Sequence, residues 1–277
     1  MTKTRSMDLA GSPQATVAGL SERGGALRAT GRLARIAGLA AATLARAAPR
    51  RKEPVMRGIE LLAGAARRAL EIHGLQVDAR GTAPRGPALL VSNHLSYLDP
   101  VVLLSQAICV PIAKAELASW PVFGAVASRT GVLFVERSSA GSRLAVMRAA
   151  ERVLRAGSVV LNFPEGTTTD GSSVLRFRKG LFEVARALRV PVVPAALRYS
   201  PRDLAWIGGA TFLPHYLHFA RRESCRVELA FGEPIPSHTF TSAEELARAA
   251  RAVTLSLLEA RTAWLREGAL SGRGGPC

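Results

Sequence analysis

The stretch Ala88-Leu-Leu-Val-Ser92, running into Asn93-His94-Leu-Ser-Tyr-Leu-Asp99-Pro100, decides how the chain is read. Five uncharged residues after Pro87 predict a short strand buried in a sheet. Pro100 suits the first turn of a helix, so the residues between form a loop that leaves a strand and enters a helix. Loops at strand ends are where α/β folds place reactive groups. His94 and Asp99 stand five positions apart, about 500° of helix, and do not share a face of a regular helix. Around a turn, however, the carboxylate reaches the imidazole, fixes its tautomer and stabilises the imidazolium. A general base acting on a hydroxyl requires that arrangement. The spacing alone leaves a structural and a catalytic reading open.

Outward from this loop, short apolar runs alternate with helical patterns. Strands are predicted over residues 88–92, 108–113, 132–135, 159–163, 192–197 and 227–231, with helices over 142–155 and 179–189. That alternation predicts an α/β sandwich with a largely parallel, buried sheet. Before it, residues 27–46 read as a helix with Arg28, Arg32, Arg35 and Arg46 on one stripe and Leu33, Ile36, Ala40 and Leu44 roughly opposite. Pro49 to Pro54 break this helix, and 55–73 read as a second one. The last helix opens with Ser242-Ala-Glu-Glu245, a capping-box pattern. The implied organisation is a flexible tail over 1–24, N-terminal membrane-associating helices over 25–75, a folded domain over 76–267 and a flexible tail over 268–277.

The 277 residues carry 37 Lys+Arg against 21 Asp+Glu, a net charge of +16 that favours an anionic partner. Only 5% of residues are aromatic and no nucleic-acid module appears, so an anionic lipid surface is expected rather than nucleic acid. Basic residues concentrate in the N-terminal region beside apolar ones, which fits a helix lying in a bilayer interface. Three widely spaced cysteines without a CxxC pair predict a reducing compartment, and the protein is expected to face the cytoplasm. The apolar run at 36–45 is too short to span a bilayer, and the uncharged stretch 204–220 is broken by Gly, Pro and His.

Three further segments complete the candidate site. Gly131-Val-Leu-Phe134-Val-Glu-Arg137 is a strand ending in a cation, whose planar fork suits phosphate or carboxylate. Asn162-Phe-Pro-Glu165-Gly166-Thr167 is a tight turn at a strand mouth, followed by Arg176, Arg178 and Lys179. Val190-Pro-Val-Val-Pro194 reads as an edge strand or a strand start. His215 and His218 have a spacing that could hold a metal, but no acidic or Cys partner stands nearby in sequence, so no metal is expected.

Taken together and in this order, the segments resemble the lysophospholipid acyltransferase family. Its Asn-His-x4-Asp block matches at Asn93, His94 and Asp99. Its Gly-x-x-Phe-x-x-Arg block matches at Gly131, Phe134 and Arg137, its Phe-Pro-Glu-Gly-Thr block at Phe163 to Thr167, and its proline-flanked strand at 190–194. The resemblance spans about residues 55 to 235. It implies a glycerolipid acyltransferase-like α/β sandwich with a mostly parallel central sheet, preceded by an amphipathic helix pair that sits on the bilayer. By the same resemblance His94 is the general base, oriented by Asp99. Asn93, Gly131, Phe134, Arg137, Glu165, Gly166 and Thr167 would bind substrate. No metal or other cofactor is implied, and acyl-CoA or acyl-carrier protein is the co-substrate. The acceptor implied first is 1-acyl-sn-glycerol-3-phosphate. Thr168, however, stands where members acting on that acceptor often carry Arg, which opens the alternative of another lyso-lipid, such as lyso-ornithine lipid. A basic lipid- or nucleic-acid-binding protein without catalysis is the reading from another class.

Overall fold

The computed structural model describes the backbone of residues 13–47, 55–120, 122–208 and 211–271, with the side chains in those ranges other than 13–22, 55 and 261–271. Seven strands form one sheet: β1 (Leu75–Arg80), β2 (Ala88–Ser92), β3 (Cys109–Lys114), β4 (Leu133–Val135), β5 (Val159–Asn162), β6 (Val192–Ser200) and β7 (Cys225–Phe231). Their order is β1-β7-β6-β2-β5-β3-β4, and every pairing is parallel except that of β6 with β7. β2 sits near the middle and all five of its residues are buried, as an uncharged strand covered on both faces must be.

Alternate side chains feed two cores. Leu90, Leu161, Val193 and Leu197 meet α1 (Pro13–Arg46), α2 (Val55–His73), α3 (Asp99–Gln106) and α7 (Phe212–Arg221). Leu89, Val91, Val160 and Val192 meet α5 (Ala140–Arg155), α6 (Gly180–Leu188) and α8 (Ala243–Ser271). A sheet between two helical layers follows. Phe182 and Leu246 are fully buried in the second core; each such side chain contributes roughly 1.5–3 kcal/mol through burial. At the start of α8, Ser242 Oγ accepts from Glu245 N, while the Glu245 carboxylate reaches the Thr241 N–H and hydroxyl.

Several readings from sequence change here. The helix of α1 already begins at Pro13, inside the stretch taken as tail, and α8 continues to Ser271; the rest of both tails lies outside the described residues. β1 was absent from the expected strands because Leu75-Gln-Val-Asp-Ala-Arg80 alternates weakly on an exposed edge. Of the two readings that the prolines left open, an edge strand or a strand start, the second holds for Pro191, which directly precedes β6, while β6 itself is an inner strand. Pro194 lies between the Val192–Ile235 bridge and the β7 ladder, which opens at Ala195, so its missing N–H costs no ladder bond.

The arginine stripe of α1 is not one solvated face. Gly25, Ala29, Arg32 and Thr43 are buried, and α1 packs on α2, α7 and α4 (Phe123–Arg129). The Arg32 guanidinium donates to the carbonyls of Ile72, Ala220, Arg222 and Glu223, closing the C-terminal ends of both α2 and α7. Leu27 and Leu33 point outward instead.

Candidate active site

β2, β4, β5 and β6 run in one direction, so the loops after them gather at one end of the sheet. His94 lies in the loop after β2, and Asp99 opens α3. His94 Nδ1 is 2.7 Å from Asp99 Oδ2. The same oxygen accepts the N–H groups of Leu95 at 2.6 Å and Ser96 at 2.9 Å, while Oδ1 accepts the Tyr199 hydroxyl at 2.7 Å. A fully buried carboxylate is thereby compensated by donors on every side. Asp99 accepts the hydrogen bond of the Nδ1–H, which fixes the tautomer and leaves the Nε2 lone pair facing away from the carboxylate. Phe163, the first residue after β5, stacks on the imidazole with centroids 4.2 Å apart and planes 19° from parallel.

Two residues expected to meet substrate are engaged within the protein. Asn93 is buried, with its amide donating to Leu197 O at 3.0 Å and accepting from Leu197 N at 2.8 Å, so it imitates a strand neighbour for β6. Glu165 is also buried; its carboxylate accepts the His94 N–H at 2.8 Å and the Leu175 N–H at 2.7 Å. Burial raises the Glu165 pKa, and the two backbone donors and nearby His94 oppose that shift. Glu165 ties the His94 loop to the loop after β5.

Gly131 takes φ +92 between α4 and β4, a conformation suited to glycine, and Phe134 pairs with Ala113 inside the sheet, half-buried. Neither residue has a hydrogen bond or ring contact to His94 among the described residues. Arg137, two residues past β4, is delivered to the site: its guanidinium donates to the Gly166 carbonyl. Gly166 has φ +74, and a Cβ there would lie 2.7 Å from the Arg178 Cζ. Two guanidiniums therefore converge over Gly166. Burial lowers the Arg137 pKa, and the Arg178 charge lowers it further. Like charges held together in this way form a seat for an anion. Thr167 is exposed beside it, while the Thr168 hydroxyl donates to the Trp206 carbonyl and is tied into the adjoining loop.

Of the three following cations, only Arg178 is positioned over the turn. Lys179 pairs with Glu244 and Glu183, and Arg176 is exposed near Glu244. Tyr199 was not recognisable as a site residue, because it becomes one only through the register of β6 beside β2. The two histidines of the 215–218 pair part ways: His215 Nδ1 is 3.1 Å from the Tyr97 hydroxyl, and His218 pairs with Asp203, an acid not adjacent in sequence.

A half-buried His94 bonded to a buried Asp99 beside a doubly cationic turn, at one end of a mostly parallel sheet, fits an acyltransferase, and the chain belongs to the acyltransferase family, whose model matches residues 70–198. It is similar to the lyso-ornithine lipid O-acyltransferases of Pseudomonas aeruginosa (39% identical, 66% of this chain and 72% of that protein) and Brucella abortus (34%, 73% and 80%). It also resembles the human 1-acyl-sn-glycerol-3-phosphate acyltransferase alpha, 36% identical over 46% of this chain and 47% of that one. Among solved structures, the 1-acyl-sn-glycerophosphate acyltransferase PlsC of Thermotoga maritima shares the fold. Its TM-score is 0.62 at 21% identity, over 84% of this chain and 98% of that one.

Proposed function

We propose that this enzyme moves a fatty acyl group from acyl-CoA or acyl-carrier protein to the hydroxyl of a lyso-lipid whose head group carries an anionic carboxylate or phosphate, at the cytoplasmic face of a membrane. The observation that carries the reading is His94, held at Nδ1 by a fully compensated Asp99 and joined to the Arg137–Arg178 seat through two consecutive residues, Glu165 and Gly166. His94 Nε2 takes the proton of the acceptor hydroxyl as its oxygen attacks the thioester carbonyl. The tetrahedral intermediate then expels the thiolate, which recovers the proton from His94, leaving an ester and a thiol. The thioester is already activated, so the reaction calls for no metal or prosthetic group.

The head group's anion would rest on Arg137 and Arg178. Lyso-ornithine lipid is the acceptor we favour, because relatives of that name align over the greater part of both chains, and Thr168, whose hydroxyl is bonded to the Trp206 carbonyl, stands where a phosphate-binding Arg was expected. A second reading, 1-acyl-sn-glycerol-3-phosphate, is favoured by the paired guanidiniums, which match a phosphate. Among the described residues no helix is long and apolar enough to cross a membrane. Peripheral contact with an anionic surface is the form of association we propose.

Incubating the purified enzyme with an acyl-CoA and a panel of lyso-lipids, with mass detection of products, tests this. One acceptor should dominate, and His94→Ala should lower its turnover by at least about 10³-fold. Arg178→Ala should raise the acceptor KM about tenfold or more and leave the thioester KM within a factor of two. Full activity of His94→Ala would overturn the assignment of the base.

A further inference from the structure

Two segments beside the mouth of the site hold apolar side chains in solvent. The first is the turn into α4, where Val122 is 50% and Phe123 43% exposed. The second links β6 to α7, where Ile207 is 45% and Leu213 57% exposed. Behind these tips the rings are continuous. Trp120 lies 6.5 Å from Phe123, 6.3 Å from Trp206 and 4.7 Å from Phe212. Tyr97, inside the catalytic loop, lies 5.5 Å from Trp206 and 5.0 Å from Phe212.

The arrangement differs from scattered surface apolar residues, which need no explanation. Residues 117–128 and 204–220 contain no Asp, Glu, Lys or Arg, in a chain whose residues are 21% charged. Each run ends at exposed arginine, Arg129 after the first and Arg221 after the second, and Arg202 stands just before the second. Tryptophan-backed apolar tips with arginines at their margins match the depth profile of an anionic bilayer: acyl chains, then carbonyls, then phosphates.

The first tip is also closely constrained. Val122 has φ +66, a positive-φ conformation that a β-branched residue adopts only when its surroundings impose it. Gly124 packs so closely that a Cβ would lie 2.0 Å from the Ala118 carbonyl oxygen. The second segment is fastened to the catalytic loop: Trp206 N–H donates to Leu95 O at 2.7 Å, and the Thr168 hydroxyl donates to Trp206 O. Whatever depth the tips reach therefore sets the depth of His94.

We propose that Val122, Phe123, Ile207 and Leu213, backed by Trp120, Trp206 and Phe212, are a membrane-insertion surface for an anionic bilayer, distinct from the N-terminal helix. It rests on the acyl-transfer reading for its purpose, which is to hold the mouth of the site in the interface so that a lyso-lipid reaches His94 without leaving the bilayer. Four tips of this size, inserted together, raise partitioning steeply, because each buried CH2 adds to the transfer free energy.

The test uses the full chain carrying Trp264→Phe, so that emission comes from Trp120 and Trp206. Phosphatidylglycerol-containing vesicles with acyl-chain-brominated lipid should quench that emission by at least half relative to unbrominated vesicles. The variant Val122→Ser/Phe123→Ser/Ile207→Ser/Leu213→Ser should bind these vesicles at least tenfold more weakly. It should lose turnover of vesicle-embedded acceptor to a similar degree, yet acylate a short-chain, water-soluble acceptor within twofold of the parent. Leu213→Asp alone, an exposed helix position, should act in the same direction. Vesicle binding without quenching, or unchanged partitioning of both variants, would overturn the surface. So would a concentration-dependent dimer lost in the variants while vesicle binding is unchanged, which assigns the patch to self-association. Failure of the parent to acylate either acceptor would sink the acyl-transfer reading instead, and quenching would still report on insertion.

Discussion

Asp99 accepts four hydrogen bonds, and the one from Tyr199 is the only one that comes from a distant side chain. Burial, with the Asp99 charge next in importance, pushes the Tyr199 phenol far above its ordinary range, so it remains a donor throughout the working pH range. A hydrogen bond to a charged group contributes ~1.5–3 kcal/mol, so Tyr199→Phe should lower kcat about tenfold. Both KM values should stay within a factor of two, because the partner of the phenol is Asp99. A lowered thermal midpoint with kcat unchanged would assign Tyr199 to support of the fold alone. His94, Asp99, Arg137 and the 163–167 turn could all be picked out along the chain, since each stands at the end of an apolar run. Tyr199 could not, because its relevance depends on β6 lying beside β2, and Arg178 could not be told from Arg176 and Lys179, because only the folded loop shows which of the three passes over Gly166.

Among the elements, the N-terminal helices show how packing redefines a pattern. Arg32 lies on a stripe that reads as polar surface, yet it sits at the junction of α1, α2 and α7 and donates to carbonyls that two helix ends leave unpaired. His73, the last residue of α2, is buried in the same junction, with its ring 4.6 Å from Phe219 and edge-on to Tyr216. Burial first, then the charges of Arg32 and Arg35, lowers its pKa to about 4. In the unfolded chain the group titrates near 6.5. Between those values the unfolded state holds the extra proton, so stability rises with pH through that window and is complete above it. The contribution is roughly 3 kcal/mol by the shift alone. His73→Phe keeps the ring packing and removes the titration. Urea midpoints at pH 4.5 and 7 should then differ less in the variant than in the parent, and an equal difference would place the acid sensitivity elsewhere.

For the molecule as a whole, α1 does two things that truncation separates from one another. It packs on α2, α4 and α7, and it contributes exposed Leu27 and Leu33 together with exposed Arg35 and Arg46. Deleting residues 1–46 should lower the thermal midpoint by about 5–10 °C, because the Arg32 bonds and the Ala29 contact are lost together. Vesicle binding should weaken without vanishing, since the 122–123 and 207–213 tips remain. A midpoint within about 1 °C of the parent would show that α1 is not integral to the fold.

What the sequence determined by itself is local: the buried strand before His94, the alternation that makes a parallel sheet, the order of the four motif segments, and a charge that seeks an anion. Each depends on neighbours within a few residues, where hydrophobic period and turn chemistry act directly. Three things waited for the tertiary structure. Asn93 and Glu165 turned inward to hold the loops, because buried backbone groups must find partners wherever the chain brings them. Arg178, not Arg176 or Lys179, joined Arg137, because only its guanidinium passes over the bare Cα of Gly166. The apolar tips of two segments far apart in sequence, Phe123 in one and Ile207 in the other, met at one surface, because α4 and α7 both pack on α1.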